Sequence, residues 1–314
     1  MNKSLSITMI ALFLNGWCGA DVLHRRQILS IRWGSGTGEV GRDLAKGPDD
    51  TNAGPVDFYV DATGEITIGD LFNHRVVVFG LDGKYSRQVQ LPGGKDDTVE
   101  SVSFDGQNTI ALDLEGAGKP NSHVLAWTRA GKPTGDIALK PLGIGLPLYL
   151  ERNSQGDLFI QDNMTFTTWR LDAAGRVQGK TPDDERIMTL VSQGLYRFDE
   201  KGGKVQVLSP DGRLLTTYWG KKGYLQILGV DQKGNLYVLY EKEHGNYGFD
   251  KLSPEGQKLA SAEISDAMDK VLLDPDRFTS FRPGRIGADG TFYIMAEPTE
   301  STFKIFAYAL QEAH

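Results

Sequence analysis

The feature that most constrains this chain is a unit that returns along most of its length: four short apolar alternations separated by Gly or Asp-Gly turns. It is clearest from Pro55, PVDFYVDATGEITIGDLFNHRVVVFGLDGKYSRQVQLP. A first run ends in a turn at Asp61–Gly64, a second covers Glu65–Gly69, and a polar loop follows at Asp70–His74. A third run is Arg75–Gly80, and Asp82-Gly83 turns the chain into a fourth that reaches Leu91. A period of two buries one face of a strand, and Asp-Gly turns join antiparallel neighbours as hairpins. Four such strands in succession make one up-and-down sheet.

Val99–Lys140 repeats the unit with turns at Asp105-Gly106 and Ala130-Gly131, and Glu151–Ile160, Thr167–Leu171 and Ala174-Gly175 repeat it again. Asp183–Gly220 has Gly194 and Asp211-Gly212 at its turns, and Gly229–Val238 with Glu255-Gly256 forms the next copy. The last begins near Phe281, turns at Ala288-Asp289-Gly290 and ends with Phe303–Leu310. Repeats of roughly 40–50 residues that cannot bury a sheet alone point to the blades of a propeller, and about six copies fall within the usual 4–8. The last copy runs out of chain after its third strand, whereas Arg26–Gly34 is a spare strand near the N-terminus. Pairing the two would hide two sheet edges. The expected fold class is therefore all-β: a six-bladed β-propeller of four-stranded antiparallel blades, closed by an N-terminal strand in the last blade. An open array or a sandwich is the competing arrangement. Ser265–Phe278 breaks the pattern, with Ala267/Val271 and Met268/Leu272 at helical spacing and Pro275 near its end. A short helix is expected there, in the connection to the last blade.

The first twenty residues are of another kind. Lys3 is their only charge, Ile7–Leu14 is apolar apart from Thr8, and Cys18-Gly19-Ala20 supplies small residues at the end. This is the layout of a signal peptide, shorter than the ~20 apolar residues that cross a bilayer. The expectation is a signal peptide over 1–20, a single propeller domain over 21–314, and export to the periplasm or beyond with no membrane span. Trp17 is too large beside Cys18 for a lipid-attachment motif, which favours cleavage after Ala20. The remaining chain then has no cysteine, hence no disulfide, thiolate ligand or thiol nucleophile. Loss of Lys3 lowers the formal charge of −7 by one further unit. That acidic balance, without any long Lys/Arg run, excludes nucleic acid as a partner, because phosphate binding needs a concentrated basic face.

In a propeller, the starts of the innermost strands and the loops between second and third strands meet on one face. Aligned back from their turns, the inner strands put Val56, Glu100, Leu148, Arg186, Gln226 and Arg282 in one column. Glu100, Arg186, Gln226 and Arg282 are polar in segments otherwise built of core residues, which makes them candidate ligand-binding residues. The two arginines suit the carboxylate or phosphate of a small anionic or zwitterionic ligand. A solvated ring of ion pairs lining a wet channel is the competing reading. His74 and His244 join the candidates, because with His123 they fall in loops expected on the same face. None has the H-x-H or i, i+4 spacing of local zinc ligation. In the loop Asp70–Arg75, Asp70 and Asn73 are suited to holding their own backbone, and Arg75 to pairing with a neighbouring blade. No nucleophile-elbow, phosphate-loop or dinucleotide pattern occurs in its proper context, so no catalytic residue is assigned.

The run Asp61…Gly64…Asp70-Leu-Phe-Asn73-His-Arg75-Val-Val-Val-Phe79…Asp82-Gly83, preceded by Trp33-Gly34…Gly38, resembles the NHL-type repeat. The other copies keep the glycine turns and lose the Asp-x-x-Asn-x-Arg loop. The resemblance implies a fold rather than a function. More distant six-bladed relatives, the gluconolactonase-like and paraoxonase-like hydrolases, hold one Ca²⁺ in the channel through Glu, Asn and Asp from several blades. Carried over, this implies calcium as a cofactor to test, with Glu100, Asp162 and Asn163, and less directly Asp57, as oxygen ligands. The arginines of the inner column would oppose a cation there. Two functions remain in view: a scaffold binding a small ligand or protein partner at the channel face, and a metal-dependent hydrolase or lyase of the lactonase type using the same mouth.

Overall fold

Alternating Val, Ile and Phe make the second and third strands of the first unit buried on both faces, while its fourth strand, Tyr85–Gln90, is largely exposed. The same gradient, from a dry interior to a wet outer edge, recurs in the units that follow, where Pro133–Ala138 and Val177–Lys180 are the exposed outer strands. The structure, a computed structural model, describes residues 23–44, 54–93, 97–104, 107–114, 121–152, 156–162, 165, 167–180, 187–190, 194–199, 204–208, 214–219, 225–243, 246–264, 284–287, 289–295 and 301–310. The leader at 1–20 and the helix expected at 265–278 lie outside the described residues.

In chain order the strands are β1 (Leu23–Ile31), then β2–β5 (Asp57–Val60, Ile66–Asp70, Arg75–Phe79, Tyr85–Gln90) and β6–β9 (Thr98–Phe104, Asn108–Leu114, Ser122–Thr128, Pro133–Ala138). Next come β10–β13 (Pro147–Arg152, Leu158–Asp162, Thr167–Leu171, Val177–Lys180) and β14–β17 (Ile187–Leu190, Gly194–Asp199, Lys204–Leu208, Leu214–Trp219). The chain finishes with β18–β21 (Leu225–Val230, Leu236–Glu243, Asn246–Leu252, Lys258–Ile264) and β22–β24 (Gly284–Ile286, Phe292–Met295, Phe303–Leu310).

Each group of four from β2 to β21 forms one antiparallel meander, and β22–β24 form a sheet completed by β1, giving six four-stranded sheets among the described residues. Side chains are described in five of them; for β14–β17 the description is essentially of the backbone. These are the four-stranded antiparallel blades of an all-β propeller. β1 runs antiparallel to β24 from Leu23 opposite Leu310 to Ile31 opposite Phe303. It thus begins earlier than the Arg26–Gly34 segment read from the sequence and ends before Trp33, which bridges to Val40 instead. The innermost strands follow one another as neighbours, β2 beside β6, then β10, β14, β18 and β22, and β22 lies beside β2.

The core sits between sheets. Phe58, Ile66, Ile68 and Phe79 of the first blade pack on Tyr293, Met295, Phe303 and Ile305 of the last. Val76 and Val78 pack on Val99, Val102 and Trp127, and Ile110 and Leu112 on Leu150, Leu158 and Ile160. Each such side chain removed from water contributes about 1.5–3 kcal/mol. Two of the turns joining first and second strands share one device. Asp61 Oδ1 accepts from the amides of Thr63 (2.8 Å) and Glu65 (3.0 Å), and Asp231 Oδ1 accepts from those of Lys233 and Asn235, both at 2.9 Å. Gly64 and Gly234 take the left-handed conformation these turns require, at φ +82° and +79°. No helix among the described residues is long and apolar enough to cross a membrane.

Candidate functional site

Four innermost strands send polar side chains to one place. Asp57 opens β2, Ser101 lies in β6, Glu151 in β10 and Arg285 in β22. Their chain neighbours Phe58, Val102 and Leu150 are buried in the packing between blades, so alternation turns the polar side chains the other way, toward the axis. The Arg285 guanidinium lies on the Asp57 carboxylate: Nη2 is 2.6 Å from Oδ2 and 2.8 Å from Oδ1, and Nε is 3.1 Å from Oδ1. Its Nη1 donates to Glu151 Oε1. Asp57 Oδ2 also accepts from Ser101 Oγ at 2.6 Å and from the Val102 amide at 3.1 Å, and the Leu150 amide donates to Ser101 Oγ at 3.3 Å. β10 and β22 are not neighbours, since two inner strands lie between them in chain order, so the Arg285–Glu151 bond spans between non-adjacent sheets. All four residues are buried. Burial works against the guanidinium charge, yet Asp57 and Glu151 together hold its pKa above the ordinary arginine value. The channel is spanned at this level by a hydrogen-bonded cluster.

The mouth expected from the sequence lies where the inner strands begin. Glu100 sits there on a β-bulge, skipped by the β6–β7 pairing between Val99 and Ser101, and Leu148 occupies a similar bulge in β10 between Pro147 and Tyr149. A bulge leaves its extra residue unpaired and re-aims the side chain. The half-buried Glu100 carboxylate accepts from Thr98 Oγ1 at 3.0 Å, its one hydrogen bond among the described residues. Burial pushes its pKa up, and the Thr98 bond opposes this only in part. Val56 is half-buried just before β2, and Leu148 is buried. Arg186, Arg282 and His244 lie outside the described residues, and Gln226 is described only as a backbone position in β18.

His74 does not open onto the mouth. It ends the 3-10 turn Leu71–Asn73 in the left-handed conformation, at φ 47°, and its buried ring sits in the joint between the first two blades. There Nε2 lies 2.7 Å from Asp113 Oδ1 of β7. His123 is likewise not in a loop of that face: it belongs to β8 and pairs with Asp136, Nδ1 to Oδ1 at 2.6 Å. Asp70 and Asn73 do hold their loop, with Asn73 Nδ2 donating to Asp70 Oδ2 at 2.8 Å. Arg75 departs from expectation. Instead of reaching the next blade, it donates to Asp70 Oδ2 (2.9 Å) and to the carbonyls of Ser35 (3.1 Å), Gly36 (3.1 Å) and Glu39 (2.8 Å). The reason is positional: the segment leading from β1 toward β2 passes over this loop and brings three of its carbonyls to the guanidinium.

Buried carboxylates at or near the ends of three second strands share a task. Asp70 accepts from the Gly41 amide (2.9 Å), Asp113 meets His74, and Asp162 accepts from the amides of Gly145 (3.0 Å) and Leu146 (3.2 Å). Asp162 is therefore committed to the backbone of the segment entering β10, and Asp57 to Arg285. Among the described residues no group of three or more His, Cys, Asp or Glu is placed to hold a metal ion. Asn163 lies outside the described residues. The described oxygens do not fit the calcium set implied by the resemblance, and a guanidinium stands beside Asp57 where a cation would.

Sequence reasoning missed the central cluster by position. The column of strand starts lies one to three residues before Asp57, Ser101, Glu151 and Arg285. A usable signal was present: Val-Asp57-Phe, Glu-Ser101-Val, Leu-Glu151-Arg and Gly-Arg285-Ile put a polar residue inside strands built of core residues.

No family model and no curated protein matches this sequence. Solved structures do match. The chain is similar to a streptogramin B lyase, with TM-score 0.54 and 12% identity over 92% of this chain and 98% of that one. It is similar to a chain of the mitotic checkpoint complex, with TM-score 0.51 and 10% identity over 98% and 100%. The WD40 β-propeller domain of Doa1 matches with TM-score 0.50 and 12% identity over 84% of each chain. At such identities the likeness is one of fold, and the fold is a β-propeller.

Proposed function

We propose that this chain is an exported, NHL-like propeller of six blades, closed by β1 in the last blade, that acts as a ligand-binding or protein-interaction scaffold through the channel mouth at the Glu100 end. One observation carries the reading. With the middle of the channel spanned by Arg285, Asp57 and Glu151, a ligand entering from that end meets a polar floor rather than a passage, and the half-buried Glu100 stands in its wall. Concave sites with a few placed polar groups are where small ligands bind. The β1–β24 ladder and the neighbour order of the inner strands support a closed ring, and the leader over residues 1–20 supports export. Arg186 and Arg282, in the same column of inner-strand starts, would supply the positive charge for a carboxylate or phosphate.

The test is thermal unfolding of the purified protein with amino acids, dicarboxylates and organic phosphates as probes. One class should raise Tm in proportion to ln(1 + [L]/Kd), and the rise should vanish in Arg186→Ala/Arg282→Ala and weaken in Glu100→Gln. No rise with any class, or an equal rise in the variants, removes the mouth as the ligand site.

A further inference from the structure

The strand that completes the last blade leads into a segment fastened to the first. β1 leaves its ladder with β24 at Ile31, and Arg32–Gly41 follow. Trp33 stays with the last blade, where its ring meets that of Phe303 edge-on at 5.6 Å between centroids. The chain then doubles back, with the Gly34 amide donating to Val40 O at 2.9 Å and the Val40 amide to Arg32 O at 3.3 Å. Further anchors lie on the first blade. Arg75 donates to the carbonyls of Ser35, Gly36 and Glu39, Asn73 Nδ2 donates to Gly34 O at 2.9 Å, and Asp70 Oδ1 accepts from the Gly41 amide. Asp70 also holds Arg75 Nε, and both side chains are buried. Val40 is fully buried in a cluster that both blades build, Leu29 and Phe303 from the last with Phe58 and Phe79 from the first.

We propose that Arg32–Gly41 is a strap and Arg75 its latch. The strap opens and closes as one unit with the adjoining part of the ladder, Leu29–Ile31 against Phe303–Ile305. Two physical reasons join them. Lifting the strap takes three acceptors from a buried guanidinium, and buried donors left without acceptors are costly. The tether is also short. Trp33 follows Ile31 by two residues, and a chain spans at most ~3.6 Å per residue, so this end of β1 cannot leave β24 while the strap stays fastened. The bulge between Gln27 and Leu29 divides the ladder, which leaves Leu23–Gln27 free to fray separately. Release of Arg75 therefore loosens the joint between last and first blades. The proposal rests on closure of the last blade by β1, as proposed above, and on no ligand.

The experiment is amide hydrogen exchange of the whole protein over a series of low urea concentrations. Two groups are compared: the strap amides of Gly34, Val40 and Gly41, and the amides bonded between Leu29–Ile31 and Phe303–Ile305. In the unaltered protein both groups should open with the same free energy and the same urea slope, which keeps the test decisive if a variant fails to fold. Arg75→Ala should quicken both by about 10–100-fold, the loss expected for hydrogen bonds to a charged group. Leu29→Ala weakens the ladder side alone and should quicken the strap amides as well, because coupling is reciprocal. Ile160→Ala, which thins the packing between second and third blades, should leave both groups within about twofold of the parent. The latch is overturned if the groups open with different slopes, if Arg75→Ala frees the strap and leaves the ladder unchanged, or if Ile160→Ala opens both as widely. Each of those results leaves closure by β1 standing. Ladder amides without protection in the unaltered protein would contradict closure itself, and the latch with it.

Discussion

Arg285 and Asp57 lie 228 residues apart in sequence and share three hydrogen bonds of 2.6–3.1 Å between the innermost strands of the last and first blades. Through Glu151 the same guanidinium reaches the third blade, and through Asp57 the second, by way of Ser101 and the Val102 amide. One side chain thus ties together three blades, two of which are not neighbours. Apolar packing is tolerant of small slips, whereas a planar fork between two carboxylates has a preferred geometry.

Glu151→Gln keeps the shape of the cluster and removes one of its charges. The lost charge-assisted bond should cost about 1–3 kcal/mol, read as a lower urea midpoint with an unchanged slope.

Arg75→Lys retains a charge and loses the fork that collects three carbonyls of the segment before β2. The expected cost is about 1.5–3 kcal/mol. Hydrogen exchange should quicken at the amides of Gly34, Val40 and Gly41, which fix that segment through Val40 O, Arg32 O and Asp70. Unchanged exchange at these amides would contradict the assigned role of Arg75.

At His74 two demands coincide, a left-handed backbone and a partner for the buried Asp113. His74→Ala satisfies neither and should cost about 1–3 kcal/mol, because Asp113 loses its partner. Asn tolerates the left-handed region and keeps polar atoms, so His74→Asn should cost less. Equal losses in a denaturation series would show that neither demand matters.

Glu100 predicts a pH dependence. Its pKa is raised in the folded protein, so the folded state holds the proton more tightly than the unfolded chain. Stability contributed by this group therefore falls as pH rises from the ordinary glutamate value of about 4.3 through the raised one. Glu100→Gln should remove that fall, so the variant gains on the parent as pH climbs through the window. Thermal melts between acid and neutral pH measure the difference, and parallel profiles would refute it.

The blades were legible because period-two alternation and Asp-Gly turns are local, and the ladders of β2–β5 sit where Pro55–Leu91 put them. The role of the Asp70–Arg75 loop was half legible. Asx side chains close their own turn by short-range chemistry, but the partner of Arg75 depends on a segment from far upstream crossing the loop. His74 was misread for a related reason: sequence places it in a loop, whereas its backbone conformation and a carboxylate of the next blade decide that the ring is buried. The central cluster needed a register that strand starts do not supply, because bulges at Glu100 and Leu148 shift the count between blades.

The account rests most heavily on the Asp57–Arg285 bond, which joins the neighbouring inner strands of the first and last blades within the central cluster. A double-mutant cycle of Asp57→Leu and Arg285→Met, followed by urea unfolding, tests it directly. Asp57→Leu leaves Arg285 with Glu151 alone, Arg285→Met leaves two buried carboxylates without their cation, and each should lose about 3–5 kcal/mol. The double variant should lose clearly less than the sum, with a coupling above about 1.5 kcal/mol. Losses that add to within about 0.5 kcal/mol would mean that the two residues do not act together, and would contradict the account.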